Sequence, residues 1–444
     1  MDNSAVLNNE KNMPLQEGKS VFKDFLFWGL ILCVSLIFFR VSFYRYLGPF
    51  LACIFAYFYF IKKETILVTT FIVIAHHELK AVLISTVSFP QLLIAFMAYE
   101  FLIKKKWSAT AGGIATVCLA VVMTVLPALY GSITFEDTFY LLVYIFALYI
   151  QYCKYKEDKD YFIGRFTLAT TVIVSLIAVH TIVTGGVEYA DMDNVAIIRR
   201  GILAAGIGDP NFSCLLLCTG IVSALNCKKI FVWARIVLII VMISAMVVTV
   251  STTGLLALAL IAVVHSVISQ KLSNKIRNLV VVALIVIVAV QGYMSLPKQY
   301  RNIGIDSYIV RMEDKYVALN QNDYAAVTTN RTNLSERYMK YINEGQSFFN
   351  TLFGGNSVVP KVFTSKAISH VTYIDFLLEY GYIGTLLLML WVVCRFKVLF
   401  AYPVTMQYRG YAISMKILYL FFALSISIYR DSIFGLLFFA LFIL

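Results

Sequence analysis

The sequence predicts an all-α polytopic membrane protein of about 12–14 transmembrane helices, with one large external loop that contains short helices. Hydrophobic residues make up 60% of the 444 residues and charged residues only 14%, which is more apolar surface than a water-soluble domain could bury in one core. Apolar runs near the length of a membrane crossing recur along almost the whole chain, and basic clusters separate many of them. The sequence therefore predicts a protein that is embedded in a lipid bilayer.

The apolar runs divide the chain into four regions. We predict a cytoplasmic tail at 1–23, a transmembrane domain of about eleven helices at 24–295 with an external loop at 185–207, a large external loop at 296–369 and C-terminal transmembrane helices at 370–444. The predicted spans are roughly 24–39, 46–61, 65–83, 89–103, 110–128, 137–152, 166–184, 210–226, 230–249, 252–269, 278–295, 371–394, 410–428 and 432–444.

The net charge of +12 raises the question of nucleic-acid binding, but the basic residues do not form one face. They fall in short clusters in every second connection, at 62–63, 104–106, 154–165, 228–229, 271–277 and 395–397. The positive-inside rule expects this alternation and places the N-terminus in the cytoplasm. Arg40 and Arg45 break the pattern near the first hairpin. We expect no nucleic-acid partner.

The loop at 296–369 is long enough to hold helices of its own, and long structureless loops are uncommon. Asn333 followed by Glu336 is typical of a capping box, so the sequence predicts an amphipathic helix at 333–345, with Arg331 just ahead of it. Its apolar stripe, which we expect to rest on the membrane domain, is Leu334, Tyr338, Tyr341 and Ile342. A turn is predicted at 353–356, which reads Phe-Gly-Gly-Asn.

The first candidate site lies where Arg199, Arg200 and Gly201 precede the segment 208–212, Gly-Asp-Pro-Asn-Phe. In the structural interpretation, Asp209 caps a helix and proline takes its first position. In the functional interpretation, the open N–H groups of that helix start and Arg200 bind a pyrophosphate. Arg199, Asp209 and Asn211 are then substrate-binding candidates.

The second candidate site is the start of the span near 371. His370 lies at the water boundary, where a capping role is the alternative to a catalytic one. Asp375 and Glu379 lie four residues apart on one helix face at bilayer depth, where ionisable groups are costly and usually face a cavity. A pair neutralised by protonation or by a neighbouring arginine is the alternative.

Taken in order, these segments resemble one family. The motifs are Gly-Asp-Pro-Asn at 208–211, Ser-Thr-Thr-Gly-Leu-Leu at 251–256, Asn-Arg-Thr at 330–332, Phe-Gly-Gly-Asn at 353–356, His-x-x-Tyr at 370–373 and Glu-x-Gly-x-x-Gly at 379–384. Together they resemble the O-antigen polymerase and O-antigen ligase superfamily, in detail over about 195–394. Two departures are Ser335, where an aromatic residue is expected, and the lack of an arginine at 251–253.

The resemblance implies a metal-independent, inverting glycosyl transfer on the outer face of a bacterial plasma membrane. The donor would be an undecaprenyl-pyrophosphate-linked oligosaccharide, which needs no nucleotide and no other cofactor. Arg200 and Arg331 would hold the leaving pyrophosphate. His370 would be the general base, with Glu379 or Asp375 as the fallback. Membrane lipid, a chain-length regulator and a flippase are the implied partners.

Two further residues are candidate substrate contacts in this interpretation, Arg337 on the loop helix and Tyr373 beside His370. A solvated charge is the alternative for Arg337. The segment 76–80, with His76, His77, Glu78 and Lys80, either contacts the substrate directly or, in the structural interpretation, lines a polar groove or pairs within itself. It lacks the His-Glu-x-x-His spacing of zinc peptidases, so no metal site is expected.

Two other functions remain open at this level. A ligase of the same superfamily would transfer the finished glycan to lipid A core or protein, and the fold alone cannot separate it from a polymerase. A transporter or flippase for lipid-linked sugars is a different class. That function predicts pseudo-symmetric halves with matching broken helices, which the sequence does not display.

Overall fold

The computed structural model describes residues 21–80, 82–83, 87–102, 111–189, 199–202, 209–269, 303–328, 331–357, 369, 371–401, 405–426 and 434–444. These residues are mainly helical, as the apolar runs predict. The predicted spans that fall within them coincide with helices, whereas the predicted span at 278–295 lies outside the described residues.

The helices are numbered here in chain order. The first eight are α1 Phe25–Phe38, α2 Leu47–Ala56, α3 Thr65–Ile74, α4 His76–Leu79, α5 Phe89–Leu102, α6 Ala111–Leu129, α7 Phe135–Lys154 and α8 Lys159–Thr184. The next five are α9 Pro210–Asn226, α10 Val232–Thr249, α11 Thr252–Ser269, α12 Ile303–Asn320 and α13 Tyr324–Val327. The last five are α14 Arg331–Lys340, α15 Phe348–Phe353, α16 Thr372–Ala401, α17 Met406–Ala423 and α18 Phe434–Phe438.

Short turns of other helix types extend this set. Single 3₁₀ turns cover Val21–Lys23 and Tyr44–Tyr46. Wider π-helical turns continue α2 at Tyr57–Ile61, α14 at Tyr341–Gly345 and α18 at Phe439–Ile443. A π-helical turn leaves the helix ladder irregular, so nearby side chains have to satisfy some of its carbonyl groups.

Within the described ranges, five helical segments are long and apolar enough to cross a membrane. They are Tyr44–Ile61, Gly112–Leu129, Lys159–Thr184, Val232–Thr249 and Thr372–Ala401. Further apolar helices are shorter, with 10–17 residues. Because a straight crossing needs about 20 apolar residues, these shorter helices cross alone only if they continue into a neighbouring turn.

Local capping explains where several helices begin and end. Thr134 accepts a hydrogen bond from the N–H of Asp137 (3.1 Å) at the start of α7, and Asp158 accepts one from the N–H of Tyr161 (3.0 Å) at the start of α8. These residues satisfy N–H groups that the helix itself leaves open. Gly185, with φ of +73°, ends α8 in the left-handed conformation that glycine adopts without strain.

The predicted external loop at 185–207 contains one short element that is not helical. Strands β1 Val187–Tyr189 and β2 Arg199–Gly201 form an antiparallel pair in which Glu188 faces Arg200. Gly185 and Gly186 both have positive φ, so the chain turns out of α8 directly into β1. Once it has left the helix, the short segment satisfies its backbone groups by pairing with itself.

Three predicted boundaries are also corrected. The third span breaks at Ala75, where α3 ends and the short α4 begins. The loop helix starts at Arg331 instead of 333, because the Thr328 hydroxyl accepts from the N–H of Thr332 (3.2 Å) ahead of the predicted cap Asn333. The span predicted at 371–394 continues to Ala401, so the basic cluster 395–397 lies in the last turns of α16 rather than in a connection.

The longest buried helix is α8, which packs against α3, α9 and α10 and has most of its residues in the core. Its first turns hold a buried ion pair between Arg165 and Glu64 (2.7 Å), and a second pair joins Lys154 and Glu100 (2.9 Å) nearby. We call this region the basic end of the bundle, defined by Lys62, Glu64, Lys154, Arg165 and Lys229. The ion pairs hold charges that would be costly to bury alone.

A buried lysine ties α17 to the helix that follows it. Lys416 is fully buried, and its ammonium group donates to the carbonyl groups of Ala440 (2.8 Å) and Leu441 (3.0 Å) in the π-helical turn after α18. Trp391 donates to the next carbonyl, Phe442 (3.0 Å), and Arg395 bonds to that of Ile443. Carbonyl groups that the turn leaves without a helical partner are thus satisfied by side chains.

The ion pair in the first turns of α8 gives a stability prediction. Replacing Arg165 by alanine leaves Glu64 buried without its cation, so Arg165→Ala should lower the free energy of unfolding by about 3 kcal/mol. Lys156→Ala removes an exposed charge from the preceding turn and should change it by less than about 0.5 kcal/mol. Thermal unfolding of the two purified variants in detergent measures the difference, and equal stability would contradict the role given to the pair.

Candidate functional site

The helices alternate in direction, which determines which of their ends lie together. Gly220 of α9 packs directly against Val174 of α8, and Lys229, just after α9, lies against Gly164 near the start of α8. The two helices are therefore antiparallel. The end of α8, the strand pair and the start of α9 consequently lie at the end of the bundle opposite to the basic end.

Helix α17 brings a distant part of the chain to the same end. The hydroxyl groups of Ser223 and Tyr411 are 3.3 Å apart, and so are those of Thr219 and Tyr419. The residue numbers decrease along α9 as they increase along α17, so these helices are also antiparallel. The end of α17 therefore lies beside the start of α9. We call this the site end, defined by Asp209, Thr252, Arg331, Thr372 and Ile426.

Two of the sequence motifs meet at the terminus of α17. Arg331 donates from its guanidinium group to the carbonyl of Ser425, and the Thr372 hydroxyl donates to the adjacent carbonyl of Ile426 (2.6 Å). Both carbonyl groups lie in the turn just after α17, which ends at Ala423, and the partial negative charge of the helix terminus favours a cation there. Arg331 and the first residue of α16 are thus held side by side, although 41 positions separate them.

The acidic pair lies in the first two turns of α16. Asp375 and Glu379 are both fully buried, as the interpretation of this span requires. The Ser369 hydroxyl, also buried, donates to Asp375 (2.6 Å) and accepts from the N–H of Val371 (3.1 Å). Since burial of a carboxyl group is costly without hydrogen bonds, this contact stabilises Asp375 and fixes the chain where it enters α16.

The turn at 353–356 docks into a break in α16. Gly381 has φ of +64° and ψ of −174°, which interrupts the helix and frees the carbonyl groups of Leu378 and Glu379 from their usual partners one turn on. The N–H of Gly355 donates to Glu379 (3.1 Å) and that of Asn356 to Leu378 (3.1 Å). The predicted turn therefore completes the hydrogen bonding of the helix that carries the buried acids.

Glycine is required on both sides of this contact. A Cβ atom at Gly354 would lie 2.1 Å from the carbonyl oxygen of Glu379, and one at Gly381 would lie 2.3 Å from that of Leu352. Both glycines also have positive φ, which other residues adopt only at a cost. The two glycine motifs are explained by one backbone contact.

The segment 209–211 meets the segment 251–254 at the starts of α9 and α11. Asp209 caps α9 through the N–H of Asn211 (2.6 Å), as the structural interpretation predicts. Asn211 is buried, and its Oδ1 accepts from the Ser251 hydroxyl (2.7 Å), which in turn accepts from the N–H of Gly254 (3.2 Å). The side-chain NH₂ of Asn211 has no hydrogen-bond partner among the described residues.

The arginine pair and His370 are less completely defined. The strand residues Arg199 and Arg200 pack through β2 against α9 and α10, which places their backbone at the site end. His370 lies outside the described residues, between Ser369 and Val371. The chain on both sides of it is fixed by the Ser369 hydroxyl.

Of two further predicted substrate contacts, Tyr373 has a partner in α17 and Arg337 is exposed. The Tyr373 hydroxyl donates to the carbonyl of Leu420 (3.4 Å) in the last turn of α17. Arg337 is exposed on α14, whose buried face is formed by Tyr338 and Ile342, as the predicted apolar stripe requires. Leu334 and Tyr341 pack at the edge of the same core.

The histidine-rich segment 76–80 lies at the site end as well. The first residues of α3 and α8 are joined by the pair of Glu64 with Arg165, so these helices run in the same direction. His76 is hydrogen-bonded to the Tyr144 hydroxyl, and Glu78 pairs with Arg40 (3.0 Å). Tyr144 and Arg40 lie outside the segment 76–80, so His76 and Glu78 have partners from other parts of the protein. His77 and Lys80 are partly buried beside them.

Two contacts that position site residues were not predicted from the sequence: the bond of the Ser369 hydroxyl to Asp375, and the bond of Arg331 to the Ser425 carbonyl. The first depends on a small polar residue six positions before a buried acid, a spacing that gives no helical signal. The second depends on a backbone group, which carries no sequence signal at all. The site end thus combines a held guanidinium group, two buried carboxyl groups and an amide donor.

The docked turn gives a second prediction. Gly381→Ala places a methyl group against the Leu352 carbonyl and forces alanine into a conformation that only glycine adopts readily. We expect a loss of stability above about 2 kcal/mol and release of the turn from α16. Limited proteolysis of the purified protein should therefore cut the segment 346–357 faster in this variant.

Gly112→Ala is the matched control, because a Cβ atom there meets nothing within 4 Å and alanine is favoured in a helix. Its stability and cleavage pattern should match those of the unaltered protein. If Gly381→Ala behaved like Gly112→Ala, the contact between the turn and the break in α16 would not be structurally important.

Known proteins offer no functional comparison for this chain, so the functional argument rests on the arrangement at the site end. No protein family, curated protein or solved structure matches this chain.

Proposed function

We propose that this chain is an integral membrane glycosyltransferase that polymerises undecaprenyl-pyrophosphate-linked oligosaccharide repeats into O-antigen, capsular or exopolysaccharide. It would cross the bacterial plasma membrane about 12–14 times and belong to the O-antigen polymerase and ligase superfamily that its motifs resemble. The single observation that carries the proposal is the meeting of these motifs, from four separated parts of the chain, at one end of the bundle.

The distribution of charge supports the orientation of this enzyme. The basic end gathers Lys62, Lys154, Arg165 and Lys229, whereas the motifs lie at the opposite end. Because cytoplasmic connections are enriched in lysine and arginine, the basic end faces the cytoplasm and the site end faces outwards. The N-terminal tail is then cytoplasmic, as the proposal requires.

The reaction would proceed by one direct displacement. The oxygen of an acceptor sugar hydroxyl forms a bond to the anomeric carbon of the donor while the bond from that carbon to the lipid pyrophosphate breaks. The hydroxyl proton passes to His370, with Glu379 or Asp375 as the alternative base, and the configuration inverts. The pyrophosphate leaves with its electron pair, so negative charge grows on it and needs cations.

The contacts at the site end suit these tasks. Arg331 is held against the α17 terminus, and a fixed guanidinium group stabilises developing charge better than a mobile one. Arg200 would act from the strand pair beside α9. Asn211 offers a buried amide donor at the start of α9, where open N–H groups favour an anion. Arg199, Asp209, Arg337 and Tyr373 are proposed substrate contacts.

A reconstitution experiment tests this function. Purified protein in vesicles would receive a synthetic lipid-pyrophosphate repeat, and the products would be analysed by mass. Release of carrier pyrophosphate together with glycans of two or more repeats supports the polymerase. Movement of the substrate across the bilayer without bond formation would instead indicate a transporter.

A deletion strain separates the polymerase from the ligase of the same superfamily. Loss of long chains while single repeats remain attached to the cell surface is expected for a polymerase. Long chains left unattached on the carrier lipid would identify a ligase, which transfers finished glycan to lipid A core or protein. A chain-length regulator and a flippase are the expected partners in the first case.

Arg331 provides the sharpest test among the described residues. Arg331→Ala should lower the rate of polymer formation by about 10²-fold or more, because it removes a cation from the leaving group. The variant must still insert into the membrane, as shown by its yield and its elution as a single species. Lys340→Ala removes an exposed charge from the same helix and should leave the rate unchanged.

His370 is tested in the same assay. His370→Ala should lower polymer formation by about 10²- to 10⁴-fold, the usual contribution of a general base. Glu379→Gln and Asp375→Asn, made in parallel, identify the base if His370→Ala remains active. Normal polymer from His370→Ala would remove this residue from the mechanism.

A further inference from the structure

The short helix α15 turns a cluster of aromatic side chains away from the protein. Phe348, Phe349 and Phe353 are 79%, 66% and 50% exposed. The rings of Phe349 and Phe353 lie 4.9 Å apart between centroids, so they form one apolar surface. Exposed aromatic clusters of this kind usually mark a contact with another molecule or a membrane. The proposed reaction gives them no role.

The orientation of this surface is fixed by the contacts of α15. Ser347 caps the helix through the N–H of Asn350 (3.2 Å), and the Thr351 hydroxyl donates to the Ile342 carbonyl (3.0 Å) at the end of α14. The docked turn at 353–356 then joins α15 to the break in α16. The phenylalanine side chains are therefore held in a defined position relative to α16.

The exposure of α16 changes at Gly381. Most of the residues at 372–381, including both acids, are buried. The next turns carry a row of apolar residues that face outwards: Tyr382, Ile383, Leu386, Leu387, Leu390 and Val393. Residues 382–401 would span about 30 Å as a helix, which equals the thickness of the hydrocarbon core. Gly381 thus lies at the level where the outward-facing apolar part of the helix begins.

Helix α15 lies at this same level. The Tyr382 hydroxyl donates to Asn343 (2.8 Å), and Gly381 contacts the backbone of Leu352 and Gly354. The phenylalanine cluster is therefore held beside the first residues of the exposed apolar row on α16. The neighbouring segment is polar and charged, with Lys340 and Glu344 both exposed. An apolar face beside a polar one is the arrangement of a helix lying in a membrane interface.

We propose that Phe348, Phe349 and Phe353 form a membrane-contact surface that inserts into the outer boundary of the bilayer, with phospholipid as its partner. This surface anchors the external segment 331–357 to the membrane at the level of Gly381. The proposal goes beyond the glycosyl transfer and rests only on the insertion of the chain in a bilayer, so it holds whether or not the chain is a polymerase.

Photocrosslinking of the full chain tests this surface. The photoreactive residue p-benzoylphenylalanine would replace Phe349, Glu344 or Leu387 in three variants, each reconstituted in vesicles of alkyne-tagged phosphatidylethanolamine and phosphatidylglycerol. Leu387 lies in the exposed row of α16 and reports contact with the hydrocarbon core. Glu344, exposed in the polar segment, is the matched control. After illumination, tagged lipid on the protein is measured by fluorescence and located by mass spectrometry.

We expect the variant at 349 to take up tagged lipid at a level close to that of the variant at 387, and about tenfold more than the variant at 344. Lipid on 387 but not on 349 would overturn the proposal, as would adducts of 349 with a second copy of the chain. Absence of lipid from all three positions would overturn it as well, because it would show that the chain is not inserted in the bilayer. The polymer assay is independent of each of these outcomes.

Discussion

The backbone contact between the turn at 353–356 and the break at Gly381 is the constraint on which the arrangement of α14, α15 and α16 depends. A broken helix inside an apolar bundle leaves carbonyl groups that need donors, and Gly355 and Asn356 supply them. The contact works only because both sides are glycine at the point of closest approach. It positions the buried acids of α16 and the aromatic surface of α15 in one rigid unit.

The two ends of the bundle hold their charged groups in different ways, which agrees with the functional proposal. At the basic end, acids and bases neutralise each other, as Glu64 and Arg165 do. At the site end, Arg331 donates to the backbone carbonyl of Ser425, just after the end of α17. A neutral carbonyl fixes a guanidinium group without cancelling its charge, which suits the binding of an anionic ligand.

The sequence predicted the helices well because apolar periodicity and capping residues act locally. Asp209, the turn at 353–356 and the buried stripe of Tyr338 and Ile342 were all predicted from such patterns. The strand pair at 185–207 was missed, since its pairing depends on two positive-φ glycines rather than on periodicity. The contact of Arg331 with α17 could not be predicted either, because it joins residues 94 positions apart through a backbone carbonyl.

The buried ammonium group of Lys416 has a consequence for biogenesis. A lysine in the middle of a hydrophobic segment is poorly tolerated by the translocon when that segment emerges alone. The carbonyl groups that satisfy it belong to residues 440 and 441, which are synthesised later. In the proposed membrane protein, helices α17 and α18 should therefore leave the translocon together as a paired unit, so that ribosomal synthesis of the second completes the membrane integration of the first.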